Sequence, residues 1–160
     1  MCAGEHTGRT LLIDHIKAPG EKIRISGGGR CNFTNLHSSP ENFLSNNPHF
    51  CKSALSRYTQ WDFIELIKSY NIEYHEKTLG QLFCDGSSKQ IIEMLGTQLD
   101  KAKTELKLSC SVKDVRKIET GFELILEENN TQTNVETKQL VIATGGKSIP
   151  KMGATGFAYD

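Results

Sequence analysis

Ile25 to Asn35, ISGGGRCNFTN, sets three consecutive glycines between a short apolar run and an Arg, a Cys and an Asn. Glycine tolerates positive φ and lacks the Cβ that holds a ligand away from backbone N–H groups. Arg30 and Asn32 add side-chain donors beside that bare backbone, so Ser26, Gly27, Gly28, Gly29, Arg30 and Asn32 read as a loop for an anionic or heteroaromatic ligand. A tight glycine turn between two elements is the alternative. Further along, the apolar run Leu140 to Ala143 leads directly into Thr144, Gly145 and Gly146. An apolar strand that ends in small residues lets a ligand approach the carboxyl end of a parallel sheet, where open α/β sheets place their sites.

The remaining chemistry-bearing side chains are less suggestive. Cys2, Cys31, Cys51, Cys84 and Cys110 are odd in number and form no C-x-x-C pair, which argues for reduced thiols. Cys31 and Cys84 invite a redox role, but unpaired buried thiols are commonly inert. His6, His15, His37, His49 and His75 show no spacing with cysteine or with one another that would build a zinc site, and no metal is expected.

Several elements must position these residues. Thr10 to Asp14 predicts a buried strand, preceded by a helix end within Met1 to Thr7. Asn47-Pro48 predicts a helix start, with Phe50, Cys51, Ala54, Leu55 and Tyr58 at helical spacing. Thr59 to Asp62 has the form of a capping box before Phe63, Ile64, Ile67 and Tyr70, and Trp61 is expected to pack in the core. Ile72 to Glu76 and Leu82 to Cys84 suggest a small hairpin. A second capping box, Ser87 to Gln90, opens a helix through Ile91, Ile92, Leu95, Leu99 and Ala102. From Leu106 the period becomes two, predicting a strand through Val112, another at Phe122 to Leu126, a loop at Asn129 to Asn134 and a last strand from Val135 to Ile142.

The chain has 160 residues, 37% of them apolar, which suits one domain with a modest core. Lys plus Arg and Asp plus Glu both count 19, so no global field draws nucleic acid, and no nucleic-acid partner is expected. No run approaches the roughly 20 apolar residues of a membrane span, so a cytoplasmic protein with a small-molecule substrate and no membrane partner is the default.

The motifs ISGGGRCNFTN, HEKTLGQLFC at His75 to Cys84, and VIATGGKSIPKMGATG at Val141 to Gly156 together resemble the BaiN-like (YhiN-type, aminoacetone-oxidase-like) NAD(P)/FAD-dependent oxidoreductases, over essentially the whole chain. The resemblance implies an α/β fold: an incomplete Rossmann-like FAD/NAD(P)-binding domain with a parallel sheet, a helical insertion at 41–104, and a small β-meander within a β-rich return at 105–146. Residues 147–160 would lead toward a further domain. It implies FAD as cofactor, with NAD(P)H a candidate electron donor. Asp14 would accept the adenosine ribose hydroxyls, Val112 would meet adenine through its backbone, and Ala143, Thr144, Gly145 and Gly146 would form the turn against the dinucleotide. Ser26 to Arg30 and Asn32 would lie near the pyrophosphate and flavin edge.

The departures are as informative. Such flavoproteins begin with a strand and G-x-G-x-x-G at a helix N-terminus, whereas Met1-Cys2-Ala3 looks like the middle of that helix. The first strand, expected between Thr10 to Asp14 and Gln139 to Ala143, is then missing. Two readings of different class result: an FAD-dependent oxidoreductase or its N-terminal part, and a catalytically silent fragment or half of a split protein that joins a complementary chain. A nucleotide-binding module using the glycines as an anion nest is a third, without the P-loop lysine pattern that usually accompanies one.

Overall fold

The computed structural model describes residues 8–145. In chain order the elements are β1 (Leu11–Ile13), α1 (Glu21–Ile25), β2 (Asn32–Asn35), α2 (Lys52–Arg57), α3 (Gln60–Ser69), β3 (Tyr74–Glu76), β4 (Gln81–Cys84), α4 (Ser88–Lys101), β5 (Glu105–Lys107), β6 (Ser111–Ile118), β7 (Gly121–Glu128) and β8 (Thr131–Thr137). They divide into two compact units, one holding residues 8–10 with 20–104 and the other 11–19 with 105–145.

In the first unit β2, β4 and β3 form an antiparallel sheet in that order. Tyr74 pairs with Cys84, and His75 with Phe83. Alternation then gives the sheet two different faces. One carries Cys84 and Tyr74 into an apolar core with Ile67, Ile72, Ile91 and Met94, where Phe33 meets Tyr74 edge-on at 5.5 Å. The other carries His75 and Phe83. The two helices that cover the core start at the capping boxes expected of them. Thr59 Oγ1 accepts from the Asp62 N–H at 3.3 Å while Asp62 Oδ2 accepts from the Thr59 N–H at 2.7 Å, and Ser87 caps α4.

The second unit contains the parallel ladder, β1 against β5, and the antiparallel meander β6–β7–β8. Its core is Cys110, Leu124 and Leu126 with Leu11, Ile13, Val112, Phe122 and Val135 packed around them. The α/β class, the parallel pairing and the small meander therefore all stand.

Other expectations are corrected. The strand expected from Val135 to Ile142 forms only as far as Thr137, as the end of β8, and Leu140 to Ala143 joins no sheet among the described residues. Val141 is 85% exposed and Ile142 64%, because an apolar run without a ladder partner has nothing to pair its backbone or cover its side chains. The loop at Asn129 to Asn134 is only the turn Asn129-Asn130, both at positive φ (49° and 61°), since Glu128 already pairs with Thr131. That geometry matches the right-handed twist of a tight hairpin. The strand from Leu106 to Val112 is broken at Ser109, φ 53°, so that β5 and β6 enter different sheets. The helix expected from Pro48 begins at Lys52, because the Asn47 side chain accepts from the His49 N–H at 3.0 Å and holds a turn. Trp61 stands 55% exposed on the first turn of α3, while Ile64 and Ile67 carry the buried stripe. The buried strand at Thr10 to Asp14 is only half covered, with Leu12 41% exposed. The helix end expected in Met1 to Thr7 lies outside the described residues.

Gly121 opens β7 at φ 146°, and a Cβ there would lie 2.1 Å from the Thr137 carbonyl oxygen. Gly121→Ala should therefore destabilise the meander by about 2 kcal/mol, the combined scale of backbone strain and overpacking. Urea unfolding of the two proteins measures it, and an unchanged midpoint would contradict this account of the hairpin.

Candidate functional site

The glycine motif folds back on itself. Ser26–Gly29 forms a short 3₁₀ turn after α1, with Gly27, Gly28 and Gly29 at φ 57°, 67° and 89°, followed by Cys31 at 55°. The Cys31 N–H donates to Ser26 O at 3.1 Å, and Ser26 Oγ donates to Ile23 O at 2.9 Å. The Cys84 N–H donates to Arg30 O at 3.1 Å, tying the loop to β4. Two glycines are needed for opposite reasons. At Gly27 a Cβ would lie 2.6 Å from the Phe83 ring and 2.9 Å from the Asn32 nitrogen, so nothing larger fits. At Gly28 a Cβ would meet nothing within 4 Å, so the backbone faces open space. A ligand can reach it there.

Arg30 is exposed at the end of the loop. Asn32 sits in the first position of β2; with its amide nitrogen turned to them, it donates to Leu82 O at 3.2 Å and Thr34 O at 3.1 Å. Its amide thus braces the bulge between β2 and β4. A mostly apolar cleft of about 340 Å³ opens beside the loop, lined by Lys22, Ile23, Ser26, Asn32, Phe63 and Leu95 among others.

Around Phe83 the structure gathers side chains that the sequence did not single out. The His75 ring lies nearly parallel to Phe83, with centroids 6.3 Å apart and 19° between planes. His75 Nδ1 is 2.5 Å from Asp85 Oδ1. An ionised carboxylate only accepts, so Nδ1 carries the proton and Nε2 is left for another partner. Lys77 Nζ stands 4.3 Å over the same Phe83 ring. Strand alternation was the available signal: His75 and Phe83 face each other across the hairpin, and Lys77 and Asp85 each lie two residues further along, just past the ends of β3 and β4. The two partners of the His–Asp pair lie ten residues apart, beyond any local motif.

The thiols are placed away from chemistry. Cys84 is fully buried, and burial pushes its thiol up to about 11, with neighbouring Cys31 and Asp85 adding to the effect. At neutral pH it is protonated and poorly nucleophilic.

In the second unit, Asp14 closes β1. Its Oδ1 accepts from the Ile16 N–H at 3.2 Å and lies 3.4 Å from His15 Nδ1, with the carboxylate 43% exposed. Val112 pairs with Leu126 near the start of β6 and packs on the core. Ala143, Thr144 and Gly145 are exposed, Gly145 at φ 77°, and Gly146 lies outside the described residues.

Comparison with known proteins reaches the whole chain. The family model for the HI0933-like protein Rossmann domain matches residues 1–160. The chain is 55% identical over 157 residues to a protein of Escherichia coli named ribosomal RNA dihydrouridine synthase, covering 98% of this chain and 38% of that protein. It is 49% identical over 165 residues to a Haemophilus influenzae protein of the same name, covering 100% and 41%. A 3-dehydro-bile acid delta(4,6)-reductase of Clostridium scindens is 22% identical over 153 residues, covering 94% and 36%. The chain thus spans about two fifths of the length of the curated relatives it matches. The exclusion of nucleic acid is corrected by the two relatives named for ribosomal RNA. Physically, a net charge of zero is a sum over the whole chain and does not describe any one face.

Iodoacetamide at pH 7.5 is expected to leave Cys84 unmodified in the native protein and to label it in urea, read by peptide mass spectrometry. Native-state labelling at a rate matching a free thiol would show that Cys84 is neither buried nor held protonated. Gly27→Ala should lower stability by about 2–4 kcal/mol, from left-handed strain plus the collision with Phe83; an unchanged urea midpoint would refute the close packing of loop and ring.

Proposed function

Because the chain belongs to the HI0933-like Rossmann-domain family, we propose that it is part of a flavin-dependent reductase that converts a uridine of ribosomal RNA to dihydrouridine. The observation that carries this reading is the identity with the two relatives of that name over 98% and 100% of this chain. The bile-acid reductase supports reduction as the shared chemistry, but at 22% identity against 55% it has less weight on substrate. On this reading the protein works in the cytoplasm, where ribosomal RNA is; among the described residues no helix is long and apolar enough to cross a membrane.

The residues present suit a flavin in one respect that can be stated from geometry: Gly28 leaves open space over its backbone. When bound and reduced by NAD(P)H, FAD would supply the hydride that, with a proton, saturates the C5=C6 bond of uracil. Gly27, Gly28 and Gly29 would let backbone approach the cofactor, and Arg30 would offset negative charge on it. Cys31, buried beneath the turn, would hold the loop in shape. Asp14 would accept a ribose hydroxyl through the oxygen that Ile16 leaves unused. Val112 and Ala143 to Gly146 remain assigned to the dinucleotide on the family likeness. The domain reading, with 41–104 as an insertion, goes with it.

Two measurements test this. The purified protein, mixed with FAD and desalted, should keep a flavin absorption spectrum, and Arg30→Ala should weaken FAD about tenfold, the loss of one charge-assisted hydrogen bond. Absence of any saturable flavin binding would count against the loop as a cofactor element. Deleting the gene that carries this chain should remove dihydrouridine from ribosomal RNA, as read by nucleoside mass spectrometry, and complementation should restore it. Unchanged dihydrouridine content would sink the proposed substrate.

A further inference from the structure

We infer that the face of the β3–β4 hairpin built on Phe83 is a contact site for single-stranded RNA, with Lys77 meeting a phosphate and the His75 ring meeting a base. The inference rests on the RNA reading above and deepens it by naming the surface.

Four observations converge on one sheet face. His75 lies nearly parallel to Phe83 and offset from it, centroids 6.3 Å apart, and is fixed by Asp85, so its ring is presented at a set angle without loss of rotamer freedom on binding. Its side chain keeps 37% of its exposure. Lys77 is exposed, rests on the Phe83 ring, and among the described residues forms no ion pair. The Phe83 ring also packs against Gly27, which brings the glycine turn to the same ring from the β2 side of the sheet.

The chemistry favours RNA over a protein partner. An imidazole held in a fixed plane by a carboxylate is a stacking platform for any base, and an adjacent ammonium answers the phosphate of the same nucleotide. A protein-docking face would instead present contiguous apolar area. Phe83 does not supply it, being only 7% exposed beneath His75, Lys77 and Gly27. Nε2, free because Asp85 engages Nδ1, adds a polar contact to a base edge or ribose hydroxyl.

The test is fluorescence anisotropy of a labelled, uridine-rich, single-stranded RNA oligonucleotide titrated with the protein at several salt concentrations. Lys77→Ala should weaken binding about fivefold at 0.1 M salt and make the logarithmic salt slope shallower by about 0.7, the value for one phosphate contact on a single strand. His75→Ala should weaken it at least about fivefold, with little change in slope, since stacking releases no counterion. Lys117→Ala, on the exposed part of β6, should change affinity only slightly. Parent-like affinity and slope in both Lys77→Ala and His75→Ala, with circular dichroism confirming the fold, would overturn this face while leaving the RNA reading intact. A parent protein that binds no RNA would overturn the contact site; the dihydrouridine content of the deletion strain then decides separately whether the RNA reading falls with it.

Discussion

The unit that carries the glycine motif depends on the ring of Phe83. Gly27 can approach it only because glycine has no Cβ, and the left-handed turn that follows exists because the backbone must pass over that ring and return to β2. On the same ring lie His75 and Lys77, and through His75 it fixes Asp85. One buried aromatic thus sets the shape of the loop and the orientation of a titratable pair. On the other side of the sheet, Cys84 and Tyr74 join the core, so the ring is held by a strand that cannot shift register without exposing them.

This dependence explains which parts of the site were legible. The positive φ of the three glycines follows from residue type and was read from the sequence. The capping boxes at Thr59 and Ser87 were readable for the same reason, since each is a local hydrogen-bond exchange. The polar stretch Asn32–Asn35 gave no sign of being a strand; it is one because β4 offers an edge and Asn32 braces the bulge. The pairing of His75 with Asp85 was likewise hidden, although the hairpin that creates it was expected. A hairpin names which residues face each other only after its register is known.

The opposite error occurred at Leu140 to Ala143. Its β-branched, apolar character is what a buried strand looks like, and the reading took propensity for pairing. Strand formation needs a neighbour, and among the described residues none pairs with it. Leu140 still packs on the core of its unit while Val141 and Ile142 are left to solvent, which shows apolar burial stopping where hydrogen-bonded structure stops.

Charge teaches the same lesson at the level of function. Equal numbers of acidic and basic residues said that the chain as a whole has no field, and the step from there to excluding nucleic acid assumed that binding is a property of the whole. In the second unit, Lys107 and Lys113 are spent on Glu128 and Glu127 at 2.9 and 2.7 Å, so those cations do not project a field. Lys77 instead rests on an aromatic ring, which leaves its charge uncompensated at short range. A contact worth roughly 0.5–1 kcal/mol at an exposed position orders the ammonium without neutralising it. What a charge can recruit therefore depends on what it already touches, and a neutral sequence can still leave a single lysine available to a phosphate where it lies on a ring instead of a carboxylate.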